Sequence, residues 1–248
     1  MTTTARPAAP PTRAPMDSLR RTALIVGVLF IITYVTSIAA KFGFYAPLFE
    51  GNYVLGADAD TRVLWGAVAE LVLIIANIGT AVYLFPVLKR QHEGLALGFV
   101  GARVMESVFI AVGILSVLTI VSTRQDFAAV DADSAAYSVV GQAMTTLQEW
   151  SFVLGPGFVV GVGNGLILGY LMYRSGLVPR GMAVLGLIGG SLICLSGTAV
   201  VMGAIEAGSA VHNLAAVPEF FWELSLGIYL IVKGFRPSAL TAGMVDAR

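Results

Sequence analysis

Six stretches of apolar residues, each long enough to cross a lipid bilayer as an α-helix, dominate this chain. A helix needs about 20 predominantly apolar residues to span the hydrocarbon core, because it rises only about 1.5 Å per residue. The six stretches are residues 22–40, 63–88, 95–121, 148–173, 182–204 and 213–235. The pattern predicts an all-α bundle of six transmembrane helices.

Charge and cysteine content exclude several other classes of protein. Only 12% of the 248 residues are charged, and 15 basic residues balance 15 acidic ones, whereas a soluble domain is about a quarter charged. The single cysteine, Cys194, cannot form a disulfide within the chain. A disulfide scaffold, a disordered chain and a basic nucleic-acid-binding surface are therefore all excluded.

The distribution of lysine and arginine predicts the orientation in the membrane, because basic residues stay in the cytoplasm. Eleven of the 15 belong to the tails and to alternate turns, three belong to the opposite side, and Arg103 lies within a helix. Both termini are therefore predicted to be cytoplasmic, which requires an even number of spans. We expect a multi-pass protein of the bacterial cytoplasmic membrane.

The parts outside the predicted bundle differ in composition. Residues 1–16 are rich in proline and are predicted to be a disordered cytoplasmic tail. Residues 17–236 form the membrane domain, and residues 237–248 are a short cytoplasmic tail. This division assigns no soluble catalytic domain.

The two longer connections are predicted to face outside. The first, residues 41–62, is rich in aromatic residues, which are typical of the membrane interface. Acidic residues precede Ser134 in the second and predict a short surface helix over residues 134–147 before the fourth span. Gly155-Pro156-Gly157 predicts a kink in that span.

Three sequence segments resemble a known family. They are GFVGARVMESVFIAVGILSVL in the third span, GPGFVVGVGNGLILGYLMYRSGLVPRGMAVLGLIGG across the fourth and fifth, and WELSLGIYLIVKGF in the sixth. Over about residues 17–236 the chain resembles a bacterial family of small multi-pass membrane proteins catalogued only as domain of unknown function 4386. The resemblance implies a membrane architecture and no known activity.

Four glycines of the fourth span are spaced four residues apart, which places them on one helical face. They are Gly157, Gly161, Gly165 and Gly169. Small residues on one face let a second helix approach closely, and Gly186 and Gly190 of the fifth span offer a matching surface. Tight helix packing is the simpler interpretation, and a ligand path along the glycine groove is the alternative.

Several polar residues are predicted to lie near the middle of the membrane. With the rise of a helix, Asn77, Arg103, Glu106 and Glu223 fall at nearly the same depth. Glu70 is expected in the outer half of the second span, where it shares a face with Asn77, and Glu219 nearer the outer boundary. Charged residues at this depth seldom face lipid, so the second, third and sixth spans are predicted to face one another.

The charges of this predicted centre do not balance. Arg103 is always ionised and needs a carboxylate partner, for which Glu106 and Glu223 are candidates. Three deep glutamates, Glu70, Glu106 and Glu223, outnumber it. At least one of them is therefore expected to be protonated or to hold a cation, as in a proton relay or a cation-linked carrier.

These residues lead to three functional hypotheses. The first is a binding or carrier protein for a small molecule or lipid, in which Arg103, Glu106, Glu223, Glu70 and Asn77 contact a ligand or protons. The second is a structural or partner-binding membrane subunit in which the same residues only hold helices together, and a membrane-embedded enzyme is the third.

The expected partners are membrane lipid and a small-molecule ligand, with self-association compatible with the pattern and no nucleic acid. We expect no cofactor and no metal, since His92 and His212 lack a second ligand at metal-binding spacing. No residue is assigned a catalytic role.

Overall fold

The computed structural model describes residues 18–49, 53–56, 59–129 and 134–238. Within them, six helices are long and apolar enough to cross a membrane, which confirms the all-α six-span bundle. In chain order the first to sixth spans are Ser18–Phe44, Asp60–Leu88, Glu93–Ala128, Ser134–Ser175, Arg180–Val201 and Ala210–Val232. The predicted N-terminal tail and nearly all of the predicted C-terminal tail lie outside the described residues.

The six spans form a closed ring. Each span packs against the next one along the chain, and the first span packs against the sixth. Because the number of spans is even, Ser18 and residues 233–238 lie at the same face, which we name the terminal face. The opposite face carries the segment between the first and second spans, and we name it the loop face. The cytoplasmic position of the terminal face stays a prediction.

The half of the bundle next to the terminal face is filled with apolar side chains, which we name the terminal core. Its largest buried members include Trp222, Phe30 and Phe99, and all six spans or their turns contribute. Arg20 extends from the first span to the carbonyl oxygens of Leu230 (2.8 Å) and Ile231 (2.5 Å). It thereby gives the Ile231 carbonyl a donor near the end of the sixth helix and adds a second donor to the Leu230 carbonyl, which also accepts from the Gly234 N–H group.

The half next to the loop face is held by smaller apolar clusters and by polar contacts. Phe42 is 76% exposed, as an aromatic residue of the interface would be, but Tyr45 and Tyr53 are buried. Their hydroxyl groups donate hydrogen bonds to the carboxyl groups of Glu70 (2.8 Å) and Asp60 (2.6 Å). Tyr45 and Tyr53 therefore do not lie at the predicted membrane interface, because their hydroxyl groups bind carboxyl groups inside the bundle.

The fourth span changes its helical geometry along its length. It is α-helical over Ser134–Phe152, π-helical over Val153–Val159 and Gly161–Leu168, and α-helical again over Gly169–Ser175. The predicted short surface helix over residues 134–147 is therefore not a separate element. At the position of the predicted kink, Pro156 lies inside the first π-helical segment, and proline lacks the N–H group that an α-helix needs there.

Three of the four spaced glycines contact the fifth span. A Cβ atom added at Gly161 would lie 3.0 Å from the Gly190 carbonyl oxygen, and one at Gly169 would lie 3.3 Å from that of Ala183. Gly165 lies directly against the Gly190 backbone. A Cβ atom at Gly157 would meet only its own helix, so this glycine does not mediate the predicted packing. The π-helical turns alter the face on which residues four apart lie.

Candidate functional site

A cavity of about 170 Å³ lies at the centre of the ring, and we name it the central cavity. Every span contributes to its wall. The lining residues are Thr33, Tyr34, Ser37, Ile38, Leu73, Asn77, Arg103, Glu106, Phe152, Pro156, Val160, Ile193, Ala216, Glu219, Phe220 and Glu223. The four polar residues predicted to share one depth, Asn77, Arg103, Glu106 and Glu223, therefore all line one space.

Arg103 is the most extensively bonded of these residues. Its side chain is 2% exposed. Its Nε atom donates to Thr80 Oγ1 at 3.2 Å, and its Nη1 atom donates to Glu106 Oε2 at 2.8 Å. The guanidinium also lies 5.5 Å from the centre of the Phe30 ring. Its Nη2 atom has no hydrogen-bond partner among the described residues, so one of its donors remains for another group.

The Arg103–Glu106 ion pair lies within one helix, three residues apart. Of the two candidate carboxylate partners, Glu106 and Glu223, the structure thus assigns Glu106, which lies on the same span. The pair does not connect the third span to the sixth, so its charges are balanced without help from another span. The bond to Thr80 is what joins Arg103 to the second span.

Glu223 is bound by the fourth span. The side-chain Nδ2 atom of Asn164 donates a hydrogen bond to Glu223 Oε1. The neighbouring Trp222 donates from its indole nitrogen to the Asn164 backbone oxygen at 3.0 Å. Asn164 is fully buried, and its Oδ1 atom has no partner within the described residues. Asn164 therefore positions Glu223 at the cavity wall.

Glu219 belongs to this centre, although the sequence placed it near the outer boundary. It is 3% exposed, and neither of its carboxyl oxygens has a hydrogen-bond partner in the described part of the chain. Glycines make space for it, because Cβ atoms at Gly165 and Gly189 would lie 2.7 and 2.8 Å from Glu219 Oε2. Its spacing of one helical turn from Glu223 could have assigned it to the site from the sequence.

Asn77 adds an unpaired amide. It is completely buried (0% exposed) and lies beside the Glu106 carboxyl group. Neither its Nδ2 nor its Oδ1 atom forms a hydrogen bond of acceptable geometry with the described residues. The central cavity thus brings together unpaired donors on Arg103 and Asn77 and unpaired acceptors on Asn77 and Glu219, and unpaired buried polar groups are costly.

Glu70 does not line the central cavity, in contrast to the predicted grouping. It accepts the hydrogen bond from Tyr45 and lines a separate space of about 10 Å³ together with Gln148. Glu70 lies about two helical turns from Asn77 on the same face of the second span, and this distance along the helix separates it from the central cavity. Burial and the adjacent Glu70 carboxylate raise the pKa of the Tyr45 hydroxyl group, so this tyrosine remains a donor.

A second ion pair, which the sequence did not single out, lies near the loop face. Arg124 contacts both carboxyl oxygens of Asp60 at 2.5 Å, and Gln125 donates to Asp60 at 3.0 Å. Tyr53 donates to the same carboxyl group, and burial, followed by the contact with Asp60, raises the pKa of the Tyr53 hydroxyl group. The group connects the start of the second span to the end of the third.

The central cavity has an opening between the first and sixth spans. Near the terminal face these spans touch at their backbones, since a Cβ atom at Gly27 would lie 2.7 Å from the Gly227 carbonyl oxygen. Two turns further along the first span, the Tyr34 hydroxyl group donates to the backbone oxygen of Phe220. The contact between the two spans thus changes from backbone against backbone at Gly27 to a tyrosine side chain against backbone at Tyr34, so there is more space between them towards the loop face.

Residues at this opening face outward. Ile38 and Phe220 line the central cavity and are also exposed on the outer surface of the bundle. On that surface a membrane would place lipid chains against them.

The fold and the site define a multi-pass membrane protein with a central cavity that polar and apolar side chains of all six helices line. The chain belongs to the family described as Domain of unknown function (DUF4386), whose family model matches residues 25–234. This finding confirms the family resemblance of the three sequence segments. No curated protein and no solved structure matches the chain.

Proposed function

We propose that this protein binds a small molecule in the central cavity and acts as a binding or carrier protein in the bacterial cytoplasmic membrane, with both termini cytoplasmic. One observation carries the proposal: the cavity that all six spans line is bordered by Arg103, Asn77 and Glu219, and each of these residues has a buried polar atom without a partner among the described residues. A ligand that supplies the missing hydrogen bonds would remove the cost of leaving these atoms unpaired.

The size of the cavity favours a small molecule over a whole lipid. A volume of about 170 Å³ is close to that of a cavity known to hold one benzene molecule, about 150 Å³. A phospholipid is many times larger. Lipid chains lying against the opening between the first and sixth spans would then form the surroundings of the site.

The placement of the ion pair weighs against a purely structural role. If Arg103 served to hold two spans together, its carboxylate partner would be expected on another helix. Instead it pairs with Glu106 on its own helix and keeps one donor atom without a partner in the described chain. Asn164 and Glu223 do join two spans, so removing Glu223 tests stability as well as binding.

Uptake of protons or cations is part of the proposal. The ionisable groups that line the central cavity are Arg103 and Glu106 of the third span, Glu219 and Glu223 of the sixth, and Tyr34 of the first. Three carboxyl groups face one guanidinium, and mutual repulsion opposes their simultaneous ionisation. Ligand binding is therefore expected to depend on pH.

The test compares the wild type with variants in which a larger side chain fills the central cavity. Full-length protein in lipid nanodiscs is mixed with five-carbon compounds carrying ammonium, carboxylate or hydroxyl groups, and the thermal unfolding midpoint is measured. We expect at least one class of compound to raise the midpoint of the wild type, and the Ala216→Phe variant to lose that response, since Ala216 lines the cavity. Ser37→Phe provides a second filling variant.

Val217→Phe is the matched control, because Val217 is exposed on the outer surface and does not line the cavity. It should respond like the wild type. If no compound changes the midpoint, or if the filled variants respond as the wild type does, the proposed site is wrong. Counterflow of a responding compound in proteoliposomes then separates a carrier from a binding protein.

A further inference from the structure

We propose that the ligand of the central cavity is a small organic ammonium ion that also carries an oxygen acceptor, as a short amino alcohol does. This inference rests on the proposed function and adds the chemical class of the ligand. It is carried by the charges, the unpaired atoms and the aromatic residues of the cavity wall.

The charge of the wall favours a cation. Among the described lining residues, Glu106, Glu219 and Glu223 face a single base, Arg103. Arg103 is already paired with Glu106, whereas both oxygens of Glu219 lack a donor in the part of the chain that the structure describes. An ammonium group supplies three N–H donors and a positive charge and has no acceptor. It therefore provides what Glu219 lacks, with Glu223 one helical turn away.

The unpaired donors call for an oxygen on the same ligand. Arg103 Nη2 and Asn77 Nδ2 are buried and have no acceptor within the described residues. An ammonium group cannot accept a hydrogen bond, so a second group of the ligand has to do so. A hydroxyl oxygen satisfies these donors without adding a negative charge to a wall that is already acidic.

The rest of the wall fits a short apolar body. Tyr34, Phe152 and Phe220 line the cavity, and aromatic rings attract cations as well as apolar groups. Compared with the cavity that holds benzene, a volume of about 170 Å³ accommodates about six to eight non-hydrogen atoms. A five-carbon amino alcohol is of this size.

The spacing of the acidic residues favours an organic ion over a metal ion. In the described part of the chain, no three His, Cys, Asp or Glu residues are placed so that they could hold one metal ion together. An elongated ligand, in contrast, reaches Glu219 with one end and Arg103 with the other. Each group of the ligand then has its own partner.

The experiment compares four probes of equal chain length: 5-aminopentan-1-ol, pentan-1-amine, pentane-1,5-diol and 5-hydroxypentanoate. Full-length protein in nanodiscs is titrated with each probe in a constant background of sodium chloride, and the unfolding midpoint is followed. We expect 5-aminopentan-1-ol to act at the lowest concentration and pentan-1-amine next. The diol and the hydroxy acid should require concentrations at least about tenfold higher, because charge-assisted hydrogen bonds are lost.

Glu219→Gln tests the residue that carries the inference, because it keeps the size of the side chain and removes its charge. The half-maximal concentration of 5-aminopentan-1-ol should rise at least about tenfold, and that of the diol should change little. Glu206→Gln is the matched control, since Glu206 is exposed in the turn before the sixth span, and it should bind like the wild type. Glu219→Asp serves if Glu219→Gln does not fold, and should weaken the response to the amine in the same direction.

The outcomes separate this inference from the proposed function. If the diol or the hydroxy acid acts at the lowest concentration and Ala216→Phe abolishes the response, the cavity is a binding site but not for an ammonium ion. An unchanged response to the amine in a folded Glu219 variant overturns the inference in the same way. If none of the probes acts, both the inference and the proposed function fail.

Discussion

The two halves of the bundle are stabilised by different kinds of contact. Next to the terminal face, the terminal core joins parts of all six spans mainly through apolar contacts. Next to the loop face, the apolar clusters are smaller, and buried carboxyl groups bind tyrosine and arginine side chains. The central cavity lies between the two, with Phe30 and Trp222 of the terminal core adjacent to Arg103 and Glu223.

The difference shows where this molecule tolerates separation of its helices. Side chains packed at crystal-like density resist movement, because even small voids are costly. Polar contacts near the loop face can be exchanged for contacts with water or ligand. The first and sixth spans touch near the terminal face and separate towards the loop face, so access to the cavity is expected from the side that is packed less tightly.

The largest effect is expected from Gly190→Leu, which overfills the contact between the fourth and fifth spans. A Cβ atom at Gly190 would lie 2.6 Å from the Gly161 oxygen and 2.8 Å from the Gly165 Cα atom. Both are backbone atoms, so the two helices must separate, at a cost of about 3 kcal/mol or more. The yield of monodisperse protein in size-exclusion chromatography should fall to near zero.

The matched control is Gly101→Leu. Nothing lies within 4 Å of a Cβ atom added at Gly101, on the exposed face of the third span. Its yield should equal that of the wild type, and equal yields for both variants would contradict the close helix contact.

A smaller but still large effect is expected from Trp222→Ala in the terminal core. The indole ring is completely buried, packs against Gly186 and donates to the Asn164 oxygen. Its removal leaves a cavity and costs about 3 kcal/mol, measured as the free energy of unfolding in a denaturing detergent. Trp65→Ala, at an exposed position of the second span, should cost far less. A similar loss in both variants would show that the terminal core does not dominate stability.

The smallest effect is expected near the loop face, from Asp60→Asn. The substitution removes the charge that Arg124 contacts, and hydrogen bonds to charged groups contribute about 1.5–3 kcal/mol. Because the pair is partly exposed, we expect a loss near the lower limit, about 1.5 kcal/mol. Asp126→Asn, at an exposed position two residues after Arg124, should be neutral.

A double-mutant cycle with Arg124→Gln checks the assignment of this effect. The two changes should be less than additive, because they interrupt one interaction. Full additivity would mean that Asp60 and Arg124 stabilise the protein separately.

The architecture and half of the site could be predicted from the sequence for simple physical reasons. Bilayer thickness sets the length of a span, so apolar stretches predict the helices. The constant rise of a helix converts residue number into depth, which placed Asn77, Arg103, Glu106 and Glu223 around one cavity.

What could not be predicted is which of the deep residues share one space. Glu70 accepts a hydrogen bond from Tyr45 and borders a separate space together with Gln148, and Glu219 fits inside the bundle because glycines of two other spans leave room for it. Both outcomes depend on which helices are neighbours in the ring. The π-helical turns of the fourth span changed the face on which its glycines lie. The spacing of the glycines alone does not predict these turns.

The position of the ion pair within one helix has a consequence for how the protein is made. Glu223 is synthesised more than one hundred residues after Arg103, so during translation the third span enters the translocon before the sixth exists. Because Glu106 accompanies Arg103 three residues away, the emerging segment carries its own counter-charge. Biosynthetic integration of this helix therefore does not have to wait for the rest of the chain.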